Sequence, residues 1–379
     1  MKKLLIILLA VLPVIAFSQE KTTQEKATQT EKKQKIQVKP YGFVKGDMTY
    51  ASHGVYSWGN INNDYLASPQ IAGASDDPAL GFTAQHTRFG LKITKEGEYK
   101  VGGKIEMDFY GGAADANGKP RIRQAYVSLA KNNFEIRVGQ QWDIFSPVNA
   151  ATNNTNGNMW YAGNRGFRRG QIQLRYKLPA NSLIQLAICE PAKEAGGLGA
   201  DNLSAMPMIQ GRLSTKLADK YGIGAYFAYA KFNPLPDVDN TDFSANGFGA
   251  DFNLNFAKLF ALKGEVNYGT NLNNANLFNI AGSALNKDDD RNSLGIWFNS
   301  TSKISDHFIL VIGAGMDKNN SDNLGSGDIE QNTVIYGNFI FPIENGFSFA
   351  AELQNISTKV NTSDDNSALI LNFAAKLTF

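Results

Sequence analysis

The sequence predicts an all-β protein, a transmembrane antiparallel β-barrel of about sixteen strands, and three observations carry that expectation. Apolar and polar residues alternate with a period of two from Pro40 to the last residue, the pattern of strands with one apolar and one wet face. The alternating segments are joined by short turns and long polar loops in turn. Aromatic residues recur just beyond the short turns, on the apolar face. Composition removes competing classes. With 43% hydrophobic and 19% charged residues among 379, the chain is too apolar to be disordered, and no stretch sustains a heptad. The single Cys189 precludes a disulfide framework or a multi-cysteine metal site. His53, His86 and His307 lie in separate stretches, so neither a metal nor another cofactor is expected.

The chain opens with Lys2 and Lys3, an apolar run from Leu4 to Phe17 broken by Pro13, and small residues at Ala16 and Ser18. That is the order of a secretory signal, and the run falls short of the ~20 residues a spanning helix needs. Residues 1–18 are read as a signal peptide and Gln19 as the mature start. Residues 19–39 hold six lysines and three glutamates among Gln and Thr. With so little to bury, they are read as a flexible periplasmic tail. These two segments carry more than the whole net charge of +2, and residues 40–379 are left at −3. The basicity therefore sits at the start of the chain, and nucleic acid drops out as a partner. Residues 40–379 are read as one domain, the barrel.

Within that domain, Tyr99 to Tyr110 sets Val101, Ile105, Met107 and Phe109 against Lys100, Lys104, Glu106 and Asp108. Phe134, Ile136 and Val138 alternate with Glu135, Arg137 and Gly139, and Phe260, Leu262, Val266 and Tyr268 with Lys263, Glu265 and Asn267. The last strand opposes Leu369, Leu371, Phe373, Ala375, Leu377 and Phe379 to Asn372, Lys376 and Thr378. Short turns fall at 95–98, 130–133, 179–182, 218–220, 257–259, 304–306 and 343–346. Longer loops fall at about 52–80, 111–119, 143–164, 190–206, 232–243, 271–290, 317–328 and 357–367. Seven short and eight long connections join an even set of strands with both ends on the short-turn side, the plan of a bacterial outer-membrane barrel.

Tyr99, Phe134, Tyr221, Phe260, Phe308 and Phe347 each follow a short turn on the apolar face, as the aromatic girdle at a membrane interface requires. Phe379 ends the last strand at the same level, the position of a signal read by the outer-membrane barrel assembly machinery. Outer-membrane lipid is the expected partner of the outer face. The polar inner faces imply a water channel in a barrel this wide.

Seven of the ten arginines, Arg121, Arg123, Arg137, Arg165, Arg168, Arg169 and Arg175, fall within residues 121–175, a window of net charge +6. Alternation puts Val127 and Leu129 on the face of Arg121 and Arg123. An Arg facing lipid at mid-depth costs about 2–4 kcal/mol, so the arginines are assigned to the lumen and the two aliphatics go with them. One wall then carries a positive potential that concentrates anions and guanidinium forks that hold them. The competing role is structural, with Glu106, Asp108, Glu135 and Asp143 pairing these arginines to brace the wall. The loop from Asp143 to Asn164 carries Phe145, Trp160 and Tyr161. Rings on an outer loop need cover, and folding into the barrel supplies it while narrowing the pore.

Three stretches resemble a known family: Tyr41-Gly42-Phe43-Val44-Lys45-Gly46-Asp47, Arg121-Ile122-Arg123-Gln124-Ala125-Tyr126-Val127, and Val138-Gly139-Gln140-Gln141-Trp142-Asp143 followed by Phe145. The resemblance is to the DcaP-like branch of the phosphate-selective porin O and P superfamily, over roughly residues 40–178. It implies a sixteen-stranded, homotrimeric porin for small anionic solutes such as phosphate or dicarboxylates. It also implies a positive constriction at Arg123, Arg137 and the Arg165 to Arg169 cluster. Only Arg212 and Arg291 follow Arg175, so a phosphate-specific ladder of arginines is not expected.

Asp288-Asp289-Asp290 and the acidic residues of 317–328 read as solvated loops without EF-hand spacing. Two other functions stay open on the residues alone, a surface adhesin or scaffold and a membrane-embedded hydrolase. No nucleophile and base are legible beside His86, and an enzyme is not the expectation.

Overall fold

A sheet with lipid on one side and water on the other forces alternation onto every strand, and that alternation sets the architecture. The computed structural model describes residues 36–53, 77–111, 118–153, 159–191, 206–232, 243–256, 260–277, 280–281, 288–320, 322, 324–362 and 365–379. The expected signal peptide, residues 19–35 of the expected tail, the turn at 257–259 and most of the four long loops at 52–80, 111–119, 190–206 and 232–243 lie outside them. The strands are β1 (Gln37–Ala51), β2 (Ala79–Thr83), β3 (Arg88–Lys95), β4 (Lys100–Gly111), β5 (Lys119–Lys131), β6 (Phe134–Trp142), β7 (Arg168–Leu178), β8 (Ser182–Cys189) and β9 (Met208–Leu217). They continue with β10 (Tyr221–Phe232), β11 (Phe243–Phe256), β12 (Phe260–Thr270), β13 (Asn292–Ser305), β14 (Phe308–Asn319), β15 (Ile329–Pro342), β16 (Phe347–Val360) and β17 (Asn366–Thr378).

Neighbours in the chain pair antiparallel around one sheet, and β1 pairs with β17 from Phe43 opposite Thr378 to Ala51 opposite Ile370, which closes the barrel. β2 and β3 both pair with β1. They are halves of a single strand interrupted at residues 84–87, so the barrel has sixteen strands, as the sequence predicts. Closure pairs backbone groups from strand to strand and leaves no sheet edge in lipid. The seam extends to the last residue, where Gly42 and Phe379 exchange two backbone hydrogen bonds of 3.1 Å.

Outward positions are apolar and bare, with Phe82, Val127, Phe248, Ile312 and Ile335 each more than half exposed, while inward Asp47, Glu106, Gln173, Glu265 and Asn332 are buried. Rings gather on the short-turn rim. Phe256 packs between Tyr221 and Phe260 with centroids 5.5 and 5.8 Å away, Phe308 stacks on Phe341 at 5.4 Å, and Phe379 meets Phe89 at 6.0 Å.

Three expectations need correction. β1 begins at Gln37, inside the expected tail, because Val38 supplies an outward apolar side chain opposite Ile93. Val127 and Leu129 face outward although Arg121 and Arg123 face the lumen. A β-bulge reconciles them: Glu106 lies opposite Gln124 and Met107 opposite Ile122, so Arg123 is an extra residue that flips the parity. Asp317 belongs to β14 and is fully buried, not part of a solvated loop.

Candidate functional site

Between β6 and β7 the chain turns into the barrel. A loop inside a lumen must satisfy its backbone groups against the wall, and inward polar side chains from across the barrel do this. The backbone N–H groups of Ile144 and Phe145 donate to Gln210 Oε1 on β9 at 2.9 and 3.0 Å. Ser146 Oγ and the Val148 N–H donate to the two oxygens of Glu265 on β12 at 2.6 and 2.8 Å. The Ala151 N–H meets Asn299 on β13 at 3.1 Å and the Asn153 N–H meets Glu352 on β16 at 2.6 Å. Lys45 on β1 donates to the Asn153 carbonyl at 2.8 Å. On the return, Asn332 on β15 donates to the Tyr161 carbonyl at 2.8 Å and Asn267 on β12 to the Gly163 carbonyl at 2.9 Å.

Apolar side chains of the loop fill the spaces between these anchors. Phe145 is fully buried and packs edge-on against Tyr226 at 4.9 Å, and Trp160 packs against Phe167 at 5.3 Å. Glycines on both sides make room. Gly163 has φ +100°, and a Cβ there would collide with the Ile296 backbone on β13. A Cβ at Gly315 on β14 would meet the loop at Ala162 and Met159. Asp143, Phe145 and Trp160 are buried, and Tyr161 is partly buried.

The seven arginines separate into two groups. Arg123 is buried and bonded to Glu106 at 3.0 Å and Asp108 at 2.8 Å. Arg165 is buried against Asp317 at 2.9 Å. Arg169 forms a fork on Asp143, 2.8 and 3.0 Å long, and reaches the carbonyls of Glu190, Pro191 and Ala275. Arg168 is buried between the Trp142 and Phe167 rings, 4.9 and 5.0 Å from their centroids. These four are part of the wall and the loop root. Carboxylates hold Arg123, Arg165 and Arg169, since a lone buried guanidinium would lose its hydration without compensation, whereas Arg168 is covered by rings alone, its Nε and Nη1 without a hydrogen-bond partner among the described residues. Arg121, Arg137 and Arg175 stay about one-fifth to one-quarter exposed, with Arg121 on Asp108 at 2.9 Å and Arg137 and Arg175 sharing Glu135 at 2.8 and 3.1 Å.

Arg137 and Arg175 border a pocket of about 290 Å³ between the loop root and the wall formed by β5 to β9. Arg212 of β9 completes it, held by Asp251 at 2.7 Å. Arg212 and Gln185 were not singled out in the sequence, and Gln141 entered only within the stretch Val138 to Asp143, although each has the inward parity of its strand. The loop anchors Gln210, Glu265 and Glu352 were missed for a related reason: alternation tells which face a residue takes, not which distant segment it meets.

The model of a family described as DcaP outer membrane protein matches residues 11–210, more than half of the 379 residues. The outer membrane channel DcaP of Acinetobacter baumannii has a similar structure, with TM-score 0.76 and 19% identity over 91% of this chain and 97% of that one. An anion-selective porin from Comamonas acidovorans gives 0.65 and 14% over 91% and 100%. OmpT of Vibrio cholerae, described in a trimer form, gives 0.60 and 13% over 91% and 99%. No curated protein sequence matches the chain significantly.

Proposed function

The chain belongs to the DcaP outer membrane protein family and is an outer-membrane barrel, and from that premise we propose that it forms a water-filled channel for small hydrophilic solutes, with a preference for anions. One observation carries the reading. Arg121, Arg137, Arg175 and Arg212 keep partial exposure on one side of the lumen, while the lumen loop's one carboxylate, Asp143, is bonded to Arg169. A passing ion therefore meets partly exposed guanidiniums, two of them sharing the one carboxylate of Glu135, and a loop with no free negative charge, in a narrow passage that focuses their field. That two structural relatives are described as a channel and as an anion-selective porin supports the same reading.

The active form is a homotrimer, a reading supported by the trimer form of OmpT. The mature chain starts at Gln19 after export, and Phe379 serves as the signal for the barrel assembly machinery. The seven arginines named above share the work, four as braces and three, joined by Arg212, as the anion-guiding surface.

Single-channel recording in planar bilayers tests the channel itself. Stepwise ion current, with steps closing in threes, is expected from purified protein. A barrel that inserts and never conducts contradicts the proposal and returns the scaffold and hydrolase readings.

A further inference from the structure

Resting on the channel reading, we propose that the pocket at the root of the lumen loop is a binding subsite for a polyhydroxylated monocarboxylate, a sugar acid such as a hexuronate or an aldonate. Its volume of about 290 Å³ lies at the small end of small-molecule sites, which run from ~300 Å³ upward.

Charge selects the anionic group. Arg137 and Arg175 share the single carboxylate of Glu135, and Arg212 is matched by Asp251. Asp143, which also borders the pocket, is matched by Arg169. Three guanidiniums against two carboxylates leave one positive charge uncompensated, and one carboxylate on a ligand balances it. A second anionic group would face Glu135 or Asp251 with no cation left to receive it.

Hydrogen bonding selects the rest of the ligand. The Gln185 carbonyl oxygen accepts from Arg212 Nη1 at 3.2 Å, so the amide N–H end of Gln185 is what remains. Gln141 is only 3% exposed, borders the pocket, and its Nε2 has no partner among the described residues. A buried donor without an acceptor is costly unless a ligand supplies one. The pocket is therefore rich in donors, and it favours a ligand rich in acceptors. Hydroxyl oxygens along a sugar acid fit the two glutamines, and its carboxylate fits the guanidinium edges.

The test titrates the purified full-length protein with glucuronate, succinate, propionate and glucose. It reads tryptophan fluorescence in detergent and interruptions of single-channel current in bilayers. Glucuronate is expected to bind about tenfold tighter than propionate, which lacks hydroxyls, the margin of one hydrogen bond to a buried donor. It is also expected to exceed succinate, which brings a second charge, and glucose, which brings none. Gln141→Leu and Gln185→Leu should narrow the margin over propionate, and Arg175→Gln should abolish binding of both monocarboxylates, each in variants that keep heat-modifiable gel mobility. Succinate binding as tightly as glucuronate, or an unchanged margin in the glutamine variants, overturns the proposal. Glucuronate binding without any ion current would uphold this site and refute the channel reading, whereas current without a preference for glucuronate refutes this inference alone.

Discussion

The Arg165 guanidinium donates to Asp317 at 2.9 Å, and the two fully buried side chains lie 152 residues apart in the chain. The pair ties the returning limb of the lumen loop to β14. Removing one partner of a buried pair costs about 3–5 kcal/mol, because the other is left charged and dry, whereas replacing both with apolar groups is often close to neutral. Asp317→Ala should therefore lower the temperature of barrel unfolding and make the open current noisy. Arg165→Met with Asp317→Leu should recover most of the stability. Gel mobility against temperature and current noise provide the measurements, and equal loss in the single and double variants would show that the pair does not hold the loop.

The close approach of Gly163 to Ile296 predicts a steric effect of a different kind. Gly163→Ala adds a Cβ where the wall backbone already lies and at a positive φ that disfavours it, at a cost of about 1–3 kcal/mol. The loop should detach in part, with more frequent transitions between conductance levels and faster proteolysis at its ends. Unchanged traces and digestion would mean that the loop tolerates displacement from β13.

At the β-bulge, the Gln140 side chain donates to the carbonyls of Ile122 and Arg123 at 2.8 and 3.2 Å, where β5 has lost its pairing with β6 beyond Ala125. Gln140→Leu leaves those acceptors without this donor beside lipid, a loss of about 1–3 kcal/mol. Unfolding temperature of the folded barrel is the measurement. Gln140→Glu, which keeps the shape but cannot donate as a carboxylate, should behave like the leucine variant.

Deleting Phe379 removes both hydrogen bonds to Gly42 and the ring packed on Phe89. Hydrogen bonds of this kind contribute about 0.5–1.5 kcal/mol each, so assembled barrel should still form slowly in detergent. In cells the deletion is expected to cut the yield of heat-modifiable protein sharply, through the lost assembly signal. Equal cellular yield would remove that role from Phe379.

Most of the barrel was legible because it rests on local rules. The period of two places Leu369 to Phe379 outward and Asn372 and Lys376 inward without any knowledge of partners, and the short turns follow from breaks in that period. What escaped was non-local. Arg121, Arg123, Val127 and Leu129 gave conflicting parity, and only the pairing of β4 with β5 reveals the extra residue that lets all four take their preferred side. The arginine cluster was visible as a charge excess, but its division into buried and partly exposed guanidiniums depends on Asp317, Asp143 and Glu106, which come from other parts of the chain. Arg212 was overlooked because it stands alone in sequence, 37 positions after Arg175, and joins the cluster only through the curvature of the wall.

Ion selectivity bears on the central claim most directly. Residues 40–379 carry −3 overall, so an anion preference must come from local placement, with distant charges screened over ~8 Å at physiological salt. Reversal potentials in a KCl gradient should show an anion-selective wild type. Arg137→Gln with Arg175→Gln should shift the potential toward cations, because Glu135 is then left unpaired in the lumen. Arg165→Met with Asp317→Leu, which removes one charge of each sign from a buried position, should keep the sign of the wild type. A cation-selective wild type, or a potential unmoved by the Arg137 and Arg175 replacements, would contradict the assignment of these guanidiniums as the anion-guiding surface.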